Sequence, residues 1–351
     1  MIKTNVIIVG AGPIGIELAA AFKQLGVDYL HLDANQIAHT ISWYPRNVRF
    51  FSSSDRIAIA GVRLDTVGQE KASREEYLSY LRSVVEQYDL DISTFERVTS
   101  LTRHGDQFTL ISSCAGGQRT YEAKYVVLAI GDLHRPRMLN IPGEELPHVS
   151  HYFVEPHEYF RRRLLIVGGK NSAVEAAIRC QRMGAKVAIS YRQAEFNAKS
   201  VKYWLMPELE MLIKTGRIMF YPTTVPVSIS PTAVALAPMG SKSISDQVSV
   251  DADCVLLLIG YEMDTDFLES IGVELVGENR APKLDHQTMQ TNVPGLFVAG
   301  TAAAGTQLRF HLFIENCHPH VDKIIRAITG QEAPFATSDK THSGKYALPE
   351  T

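Results

Sequence analysis

A three-layer α/β fold, built twice over along one 351-residue chain, is what this sequence predicts. Three observations carry that expectation. An apolar run, Val6-Ile7-Ile8-Val9, turns through Gly10-Ala11-Gly12-Pro13-Ile14-Gly15 into the small-residue stretch Ile16-Glu17-Leu18-Ala19-Ala20-Ala21-Phe22. A second apolar run, Leu164-Leu165-Ile166-Val167, turns through Gly168-Gly169-Lys170-Asn171-Ser172-Ala173 about half a chain later. Each turn is followed by a further strand-like run with a charged end: Tyr29-Leu30-His31-Leu32 meets Asp33, and Lys186 to Tyr191 meets Arg192. Strand, glycine-rich turn, helix and strand in that order read as a Rossmann-like unit, so two dinucleotide-binding domains are expected.

The physical reason is steric and electrostatic. Glycine permits a backbone conformation or a close approach that a side chain would block, and pyrophosphate then rests on the N–H groups that open the following helix. One such turn alone is weak, because a helix that merely packs close to a strand needs glycine as well. In the first unit the helix ends near Gly26, and Asp33 falls where an acid holds an adenosine ribose. The second turn departs from the pattern, since Lys170 replaces its middle glycine and leaves Gly168, Gly169 and Ala173 to do the steric work. Its following strand ends in a base. A guanidinium at Arg192 suits a 2′-phosphate, which favours NADPH over NADH. A chain that binds two dinucleotides passes electrons between them.

Length and composition agree. A chain of 351 residues accommodates two domains with a core each. A net charge of −3 shows no basic excess, so neither nucleic acid nor an anionic membrane is an expected partner. The chain has no apolar run of spanning length and enters its first strand at once without a signal peptide, so a cytoplasmic protein is expected. Cys114, Cys180, Cys254 and Cys317 form no C-x-x-C, and read as buried, inert thiols. Of the twelve histidines, His148, His151, His318 and His320 read as ordinary surface residues, and no metal site is expected.

Along the chain, the irregular stretch 43–55 precedes a helix with Ser73 as its N-cap, Glu76 as the capping-box partner, and Tyr77, Leu78, Leu81, Val84 and Val85 as its apolar face. Strands follow through residues 108–111 and 125–130 to Gly131. Pro136 and Ile141-Pro142-Gly143-Glu144 come next, and the second unit then contains a helix over residues 204–215 and a strand-rich stretch up to Gly260. Residues 331–351 are polar and aperiodic, and read as a tail.

The whole chain except that tail resembles the thioredoxin-reductase-like flavoproteins, and within them the bacillithiol disulfide reductase (YpdA-type) family. The likeness rests on Tyr44-Pro45 through Phe50-Phe51-Ser52-Ser53-Ser54, on Gly169-Lys170-Asn171-Ser172-Ala173-Val174-Glu175, on residues 200–207 after Tyr191-Arg192, and on Phe313-Ile314-Glu315-Asn316. Residues 125–144 resemble the crossover from a flavin domain to a pyridine-nucleotide domain, residues 254–260 the return, and residues 291–300 the strand that leads back under the flavin. The resemblance implies FAD on the first turn, at Gly10, Gly12, Pro13, Ile14, Gly15 and Asp33 with Ser52, Gly131, Gly300 and Thr301. It implies NADPH on the second, at Gly168, Gly169, Lys170, Asn171, Ser172, Ala173 and Arg192. The FAD-binding domain is then discontinuous, residues 1–135 and 262–330, around an NADPH-binding domain of residues 136–261. A homo-oligomer, most simply a homodimer, is the expected assembly.

Three departures bear on the chemistry. Thioredoxin reductases carry a redox cysteine pair after the Ile-Pro-Gly linker, where this chain has Tyr152 and Glu155. The YpdA-type family typically has cysteine directly after the Gly-x-Gly-Pro of the first turn, where this chain has Ile14, and an aliphatic side chain forms no mixed disulfide. Thr301 stands where related flavoproteins often have aspartate. The expected activity is NADPH-dependent reduction of FAD and onward transfer to a small-molecule or small redox-protein acceptor, with a bacillithiol-type disulfide as one candidate. Ferredoxin or flavodoxin NADP reductase, flavin monooxygenase and a non-enzymatic flavin redox sensor stand as alternatives. Lys199 and Lys202 are candidates for the 2′-phosphate or a solvated face, His311 and Glu315 for a proton shuttle or surface packing, and Phe50-Phe51 for a flavin cover or core.

Overall fold

A computed structural model describes residues 1–335 apart from Lys242, with the side chains of Lys199 and Ile244 also outside the description. Most of the sequence-predicted tail therefore lies outside the described residues. The chain divides into two compact units. One comprises Met1–Ser42, Asn47–Arg135 and the chain from Tyr261 onward, and the other comprises Trp43–Arg46 and Pro136–Gly260.

The first unit opens with β1 (Ile2–Val9), α1 (Pro13–Gln24) and β2 (Tyr29–Leu32), followed by α2 (Arg74–Gln87) and the strands β3 (Arg97–His104), β4 (Gln107–Cys114) and β5 (Gly117–Leu128). β1 lies between β2 and β5, parallel to both. With both of its faces covered it is apolar at every position from Val6 to Val9, instead of alternating. β4 runs antiparallel to β3 and β5 and completes the sheet. α1 is buried from Ile14 to Phe22, the acid Glu17 included. α2 forms the capping box read from its sequence, with Ser73 and Glu76 exchanging hydrogen bonds. Its buried face is Tyr77, Tyr80, Leu81 and Val84. Tyr80 takes the place expected of Leu78 and Val85 because its hydroxyl has partners inside, the Ile59 N–H and the Val62 carbonyl, each at 2.7 Å.

The second unit contains β6 (Val149–Ser150), β7 (Arg163–Val167), α3 (Asn171–Arg182), β8 (Lys186–Tyr191), α4 (Met206–Lys214), β9 (Ile218–Pro222), β10 (Thr224–Ile229), β11 (Ala233–Pro238), β12 (Val248–Asp251) and β13 (Cys254–Leu257). Its sheet is parallel in the order β9-β8-β7-β13-β6. Alternate strand residues face opposite layers. Ile166, Ile189 and Leu256 pack against Val174 and Ala177 of α3 and Leu209 and Leu212 of α4. Leu165, Val255 and Leu257 pack against Val234, Leu236 and Val250 of the antiparallel β10-β11-β12 meander. Trp43–Arg46, which the sequence reading places in the first domain, belongs to this unit. The Trp43 ring stands edge-on to Tyr152 with centroids 5.2 Å apart, and the Arg46 N–H donates to the Val154 carbonyl at 3.1 Å.

The chain then returns to the first unit. β14 (Leu296–Val298) pairs parallel with Val126–Leu128 at the end of β5, and α5 (His318–Thr329) follows. One edge of β5 is thus filled by β1, and the other is divided between β4 and β14.

Candidate functional site

In the first unit, β1, β5 and β14 run parallel and bring their carboxyl ends together, which is where open α/β sheets bind ligands. Gly10 has φ +105°, and a Cβ there would stand 2.4 Å from the Ala129 carbonyl oxygen; a Cβ on Gly15 would stand 1.9 Å from the Gly10 oxygen. These two glycines let the helix close onto the strand ends. Gly12, the N-cap of α1, has nothing within 4 Å of where its Cβ would be, so space lies open above the turn that presents the first N–H groups of α1. Pro13 occupies the first helical position, where its missing N–H is no loss.

Asp33, just past β2, accepts hydrogen bonds from the Ala11 N–H at 2.6 Å and the Asn35 N–H at 2.7 Å. Burial raises its carboxyl above the usual range against the pull of these bonds. His31, a residue the sequence reading passed over, lies under the turn with Nε2 2.9 Å from the Gly10 oxygen. Burial holds its pKa down at about 4, so the ring is neutral and donates from Nε2. Gly131, Gly300 and Thr301 converge on the same place. A Cβ on Gly300 would touch the Ile14 side chain at 3.6 Å, and one on Gly131 would lie 4.0 Å from the Thr301 hydroxyl. The Gly300 N–H donates to His320 Nδ1 at 3.2 Å, and burial keeps that imidazole neutral with a pKa near 4. Ser52 is buried ahead of the short helix Ser54–Ile57 and shares no hydrogen bond with these residues among those described.

The histidine expectation is corrected here. His318 and His151 are not lone surface residues, because each faces a buried acid: Glu17 at 2.8 Å from His318 and Glu144 at 3.5 Å from His151. Glu17 gave a signal that was available, being one acid in a run of otherwise apolar helical positions. His311 and Glu315 do not share a surface. His311 is exposed on an irregular loop, whereas Glu315 is 1% exposed with Arg56 Nε 3.6 Å away.

The second turn repeats the steric logic. A Cβ on Gly168, whose φ is +138°, would approach the Leu258 carbonyl oxygen to 2.4 Å. A Cβ on Gly169 would strike the Tyr191 ring at 2.5 Å. Lys170 is exposed at the N-cap of α3 and contributes its carbonyl, which accepts from the Val174 N–H at 3.1 Å. Ala173 is buried and Ser172 exposed. Asn171 is turned inward, its Oδ1 accepting from the Lys202 N–H at 2.6 Å. Lys202 is 7% exposed and its ammonium meets Glu175 at 2.8 Å, which removes it as a solvated counter-charge. Arg192 is exposed on the loop after β8.

Burial pushes the Cys180 thiol up to about 12 and raises those of Cys254 and Cys317, so none of the three is a thiolate near neutrality. Cys114 is half-buried in the hairpin between β4 and β5. Tyr152 packs on Trp43, and Glu155 faces Arg46 at 3.8 Å. Among the described residues no helix is long and apolar enough to cross a membrane.

The model of the pyridine nucleotide-disulphide oxidoreductases matches residues 7–300. The chain belongs to that family. Bacilliredoxin reductase Bdr of Bacillus subtilis (strain 168) is 36% identical to it over 332 residues, 95% of this chain and 99% of the relative. Two solved structures are similar throughout, bacillithiol disulfide reductases Bdr (YpdA) from Staphylococcus aureus and Bacillus cereus, at 30% and 34% identity. Each covers 94% of this chain, over 99% and 100% of their own lengths, with a TM-score of 0.87. The pyridine nucleotide-disulphide oxidoreductase is an FAD-dependent enzyme that uses NAD(P)H, and its two three-layer units are the dinucleotide-binding domains expected from the sequence. The open space over Gly12, at the N-terminus of α1, fits such a cofactor, since the N–H groups that open a helix are what a pyrophosphate needs.

Proposed function

We propose that this oxidoreductase takes electrons from NADPH through FAD to a low-molecular-weight disulfide of the bacillithiol type. Its observation is the near-complete correspondence, at 36% identity, with a bacilliredoxin reductase, in a chain that carries two glycine-tightened turns of its own. FAD, when bound, accepts a hydride from the nicotinamide and delivers two electrons onward. The balance is one disulfide, NADPH and a proton giving two thiols and NADP⁺.

In this reading the first unit holds FAD. Gly10 and Gly15 close the turn, Gly12 leaves the pyrophosphate its room, and Asp33 takes the ribose with its free lone pairs while staying fixed by Ala11 and Asn35. Ile14, Gly131, Gly300 and Thr301 line the flavin end, with Ser52 beyond them, and the Thr301 hydroxyl supplies a weaker version of an aspartate's bond. The second unit, Trp43–Arg46 with Pro136–Gly260, holds NADPH on Gly168, Gly169, Lys170, Asn171, Ser172 and Ala173, and Arg192 meets the 2′-phosphate. The protein works in the cytoplasm as a homodimer.

A second reading follows from Ile14, which places an aliphatic group where YpdA-type reductases place a thiol: the acceptor is a quinone-like molecule or a one-electron carrier of the ferredoxin or flavodoxin type. One experiment separates them. The purified protein is reduced anaerobically with NADPH or NADH and then mixed with bacillithiol disulfide, a quinone, a ferredoxin or a flavodoxin. Faster reduction by NADPH and reoxidation by the disulfide support the first reading. Reoxidation by carriers with no response to the disulfide supports the second, and a protein that takes up no FAD overturns both.

A further inference from the structure

Two buried imidazoles in the first unit each hold the backbone of a glycine whose φ is positive, and both glycines are placed above in the FAD cradle. His31 is 1% exposed and His320 8%; Gly10 has φ +105° and Gly300 +72°. Burial keeps both rings neutral, with pKa values of about 4. His318, two residues before His320, is the opposite case. Its Nδ1 lies 2.8 Å from Glu17 Oε2 and its Nε2 3.0 Å from the Arg56 carbonyl, so both nitrogens face acceptors, both must donate, and the ring is an imidazolium.

His31 holds one end of a peptide whose other end Asp33 holds. Its Nε2 donates to the Gly10 carbonyl at 2.9 Å, and the N–H of that same peptide, on Ala11, donates to Asp33 Oδ2 at 2.6 Å. Glycine tolerates either sign of φ, so residue 10 by itself does not fix the plane of this peptide. With both ends taken the plane is set, and the Asp33 carboxylate is set with it. Packing alone does not select histidine here. The ring lies in the interior beside Leu32, and its Nδ1 is buried with no hydrogen-bond partner among the described residues, a cost that leucine would avoid. The bond to Gly10 is what histidine supplies and leucine cannot.

His320 performs the complementary task as an acceptor. Gly300 opens the short helical turn Gly300–Ala304, and the first N–H groups of such a turn have no partner within it. The one on Gly300 donates to His320 Nδ1 at 3.2 Å, on a face of α5 that otherwise buries Val321, Ile324 and Ile325. An imidazolium has no lone pair for this bond, so the neutrality that burial enforces is a condition of it. The backbone so held stands against the start of α1, since a Cβ on Gly300 would lie 3.6 Å from the Ile14 side chain, and Thr301 follows directly.

We propose that His31 and His320 are positioning residues for FAD, His31 for the adenosine half through the Gly10–Ala11 peptide and Asp33, and His320 for the flavin half through Gly300 and Thr301; this rests on the preceding assignment of FAD to the first unit. The probe is FAD, added to apoprotein and followed by quenching of flavin fluorescence, with the visible spectrum and midpoint potential of the bound flavin recorded beside it. His31→Leu should weaken FAD about tenfold or more, one buried carbonyl having lost its donor, and leave the spectrum and potential of the bound flavin as in wild type. His31→Gln, whose amide N–H stands in for that of Nε2, should restore affinity to within about threefold. His320→Leu should weaken FAD and also shift spectrum and potential, because the backbone it releases carries Thr301. His320→Asn, with Oδ1 in the place of Nδ1, should reverse both effects. Melting temperatures of the apoproteins check folding, and methionine, which settles into irregular space, replaces leucine at either site where leucine prevents it. Lower melting temperatures with unchanged FAD affinity show a purely structural role and overturn the proposal. Equal losses in the leucine variants and their polar counterparts, or a potential that moves with His31 or with neither histidine, overturn it as well. Wild-type apoprotein that takes up no FAD overturns the assignment of FAD to the first unit and this proposal with it, whereas uptake that no variant alters overturns the proposal alone.

Discussion

Replacing His318 removes a cation that the fold holds between Glu17 and the Arg56 carbonyl. Desolvation draws its pKa down, but the Glu17 carboxylate 2.8 Å away outweighs that pull and sets it at about 9, against an ordinary value of 6.5. A rise of that size corresponds to roughly 3 kcal/mol of stability. The folded-state value lies above the unfolded one, so this stabilisation is complete below about pH 6.5, declines between 6.5 and 9, and is absent above. The difference in melting temperature between the FAD-loaded wild type and His318→Gln isolates this group, because other titrations are common to both proteins. At about 2–4 °C per kcal/mol for a unit of this size, the gap should narrow by roughly 6–12 °C between pH 6 and pH 10. Glu17→Gln should abolish the same basic-limb loss, since the imidazole then has burial without a counter-charge. A gap that stays constant across that range would refute the ion pair and the imidazolium argued from its geometry.

Three further outcomes are expected. Gly15→Val should prevent folding around the first turn and yield protein without FAD, whereas Gly12→Ala should fold normally and weaken FAD measurably in titrations of the apoprotein, because its added methyl meets only the space meant for cofactor. Arg192→Ala should reduce the preference for NADPH over NADH by about tenfold with the NADH rate unchanged, one exposed charge-assisted contact lying near the lower end of 1.5–3 kcal/mol; stopped-flow flavin reduction measures it. Serine at all four cysteines should leave turnover with one-electron acceptors nearly unchanged, apart from stability lost by burying hydroxyls, while Ile14→Cys should speed disulfide turnover by placing a thiol at the start of α1. Disulfide reduction abolished by losing one native cysteine would show the chemistry to be elsewhere.

What could be read from the sequence was local. Gly10 and Gly15, or Ser73 and Glu76, interact within one turn of chain, so their spacing already contains their geometry. The positions of Asp33 and Arg192, each one residue past the strand that follows its turn, were local in the same way. What escaped was set by contacts between distant segments. Glu17 and His318 are 301 residues apart, and nothing in the neighbourhood of either announces the other. His318 and His320 both read as ordinary surface residues, yet one becomes a half-buried cation and the other a buried, neutral acceptor for Gly300. Trp43–Arg46 lies in a stretch without periodicity, and its place in the second unit depends on Tyr152 and Val154, more than a hundred residues on.

The divided edge of β5 also dictates an order of events during synthesis. Residues 126–128 are made early, but the strand that pairs with them there, Leu296–Val298, leaves the ribosome only after Pro136–Gly260, the bulk of the second unit. At about 5–20 residues per second that interval is on the order of ten to thirty seconds. During it the nascent first unit has one bare strand edge and lacks α5 over α1, while the second unit already has every strand of its sheet. The late-made segment is therefore the closing step of folding, and truncation or slowed translation ahead of residue 296 should leave aggregation-prone chains whose second unit is nonetheless complete.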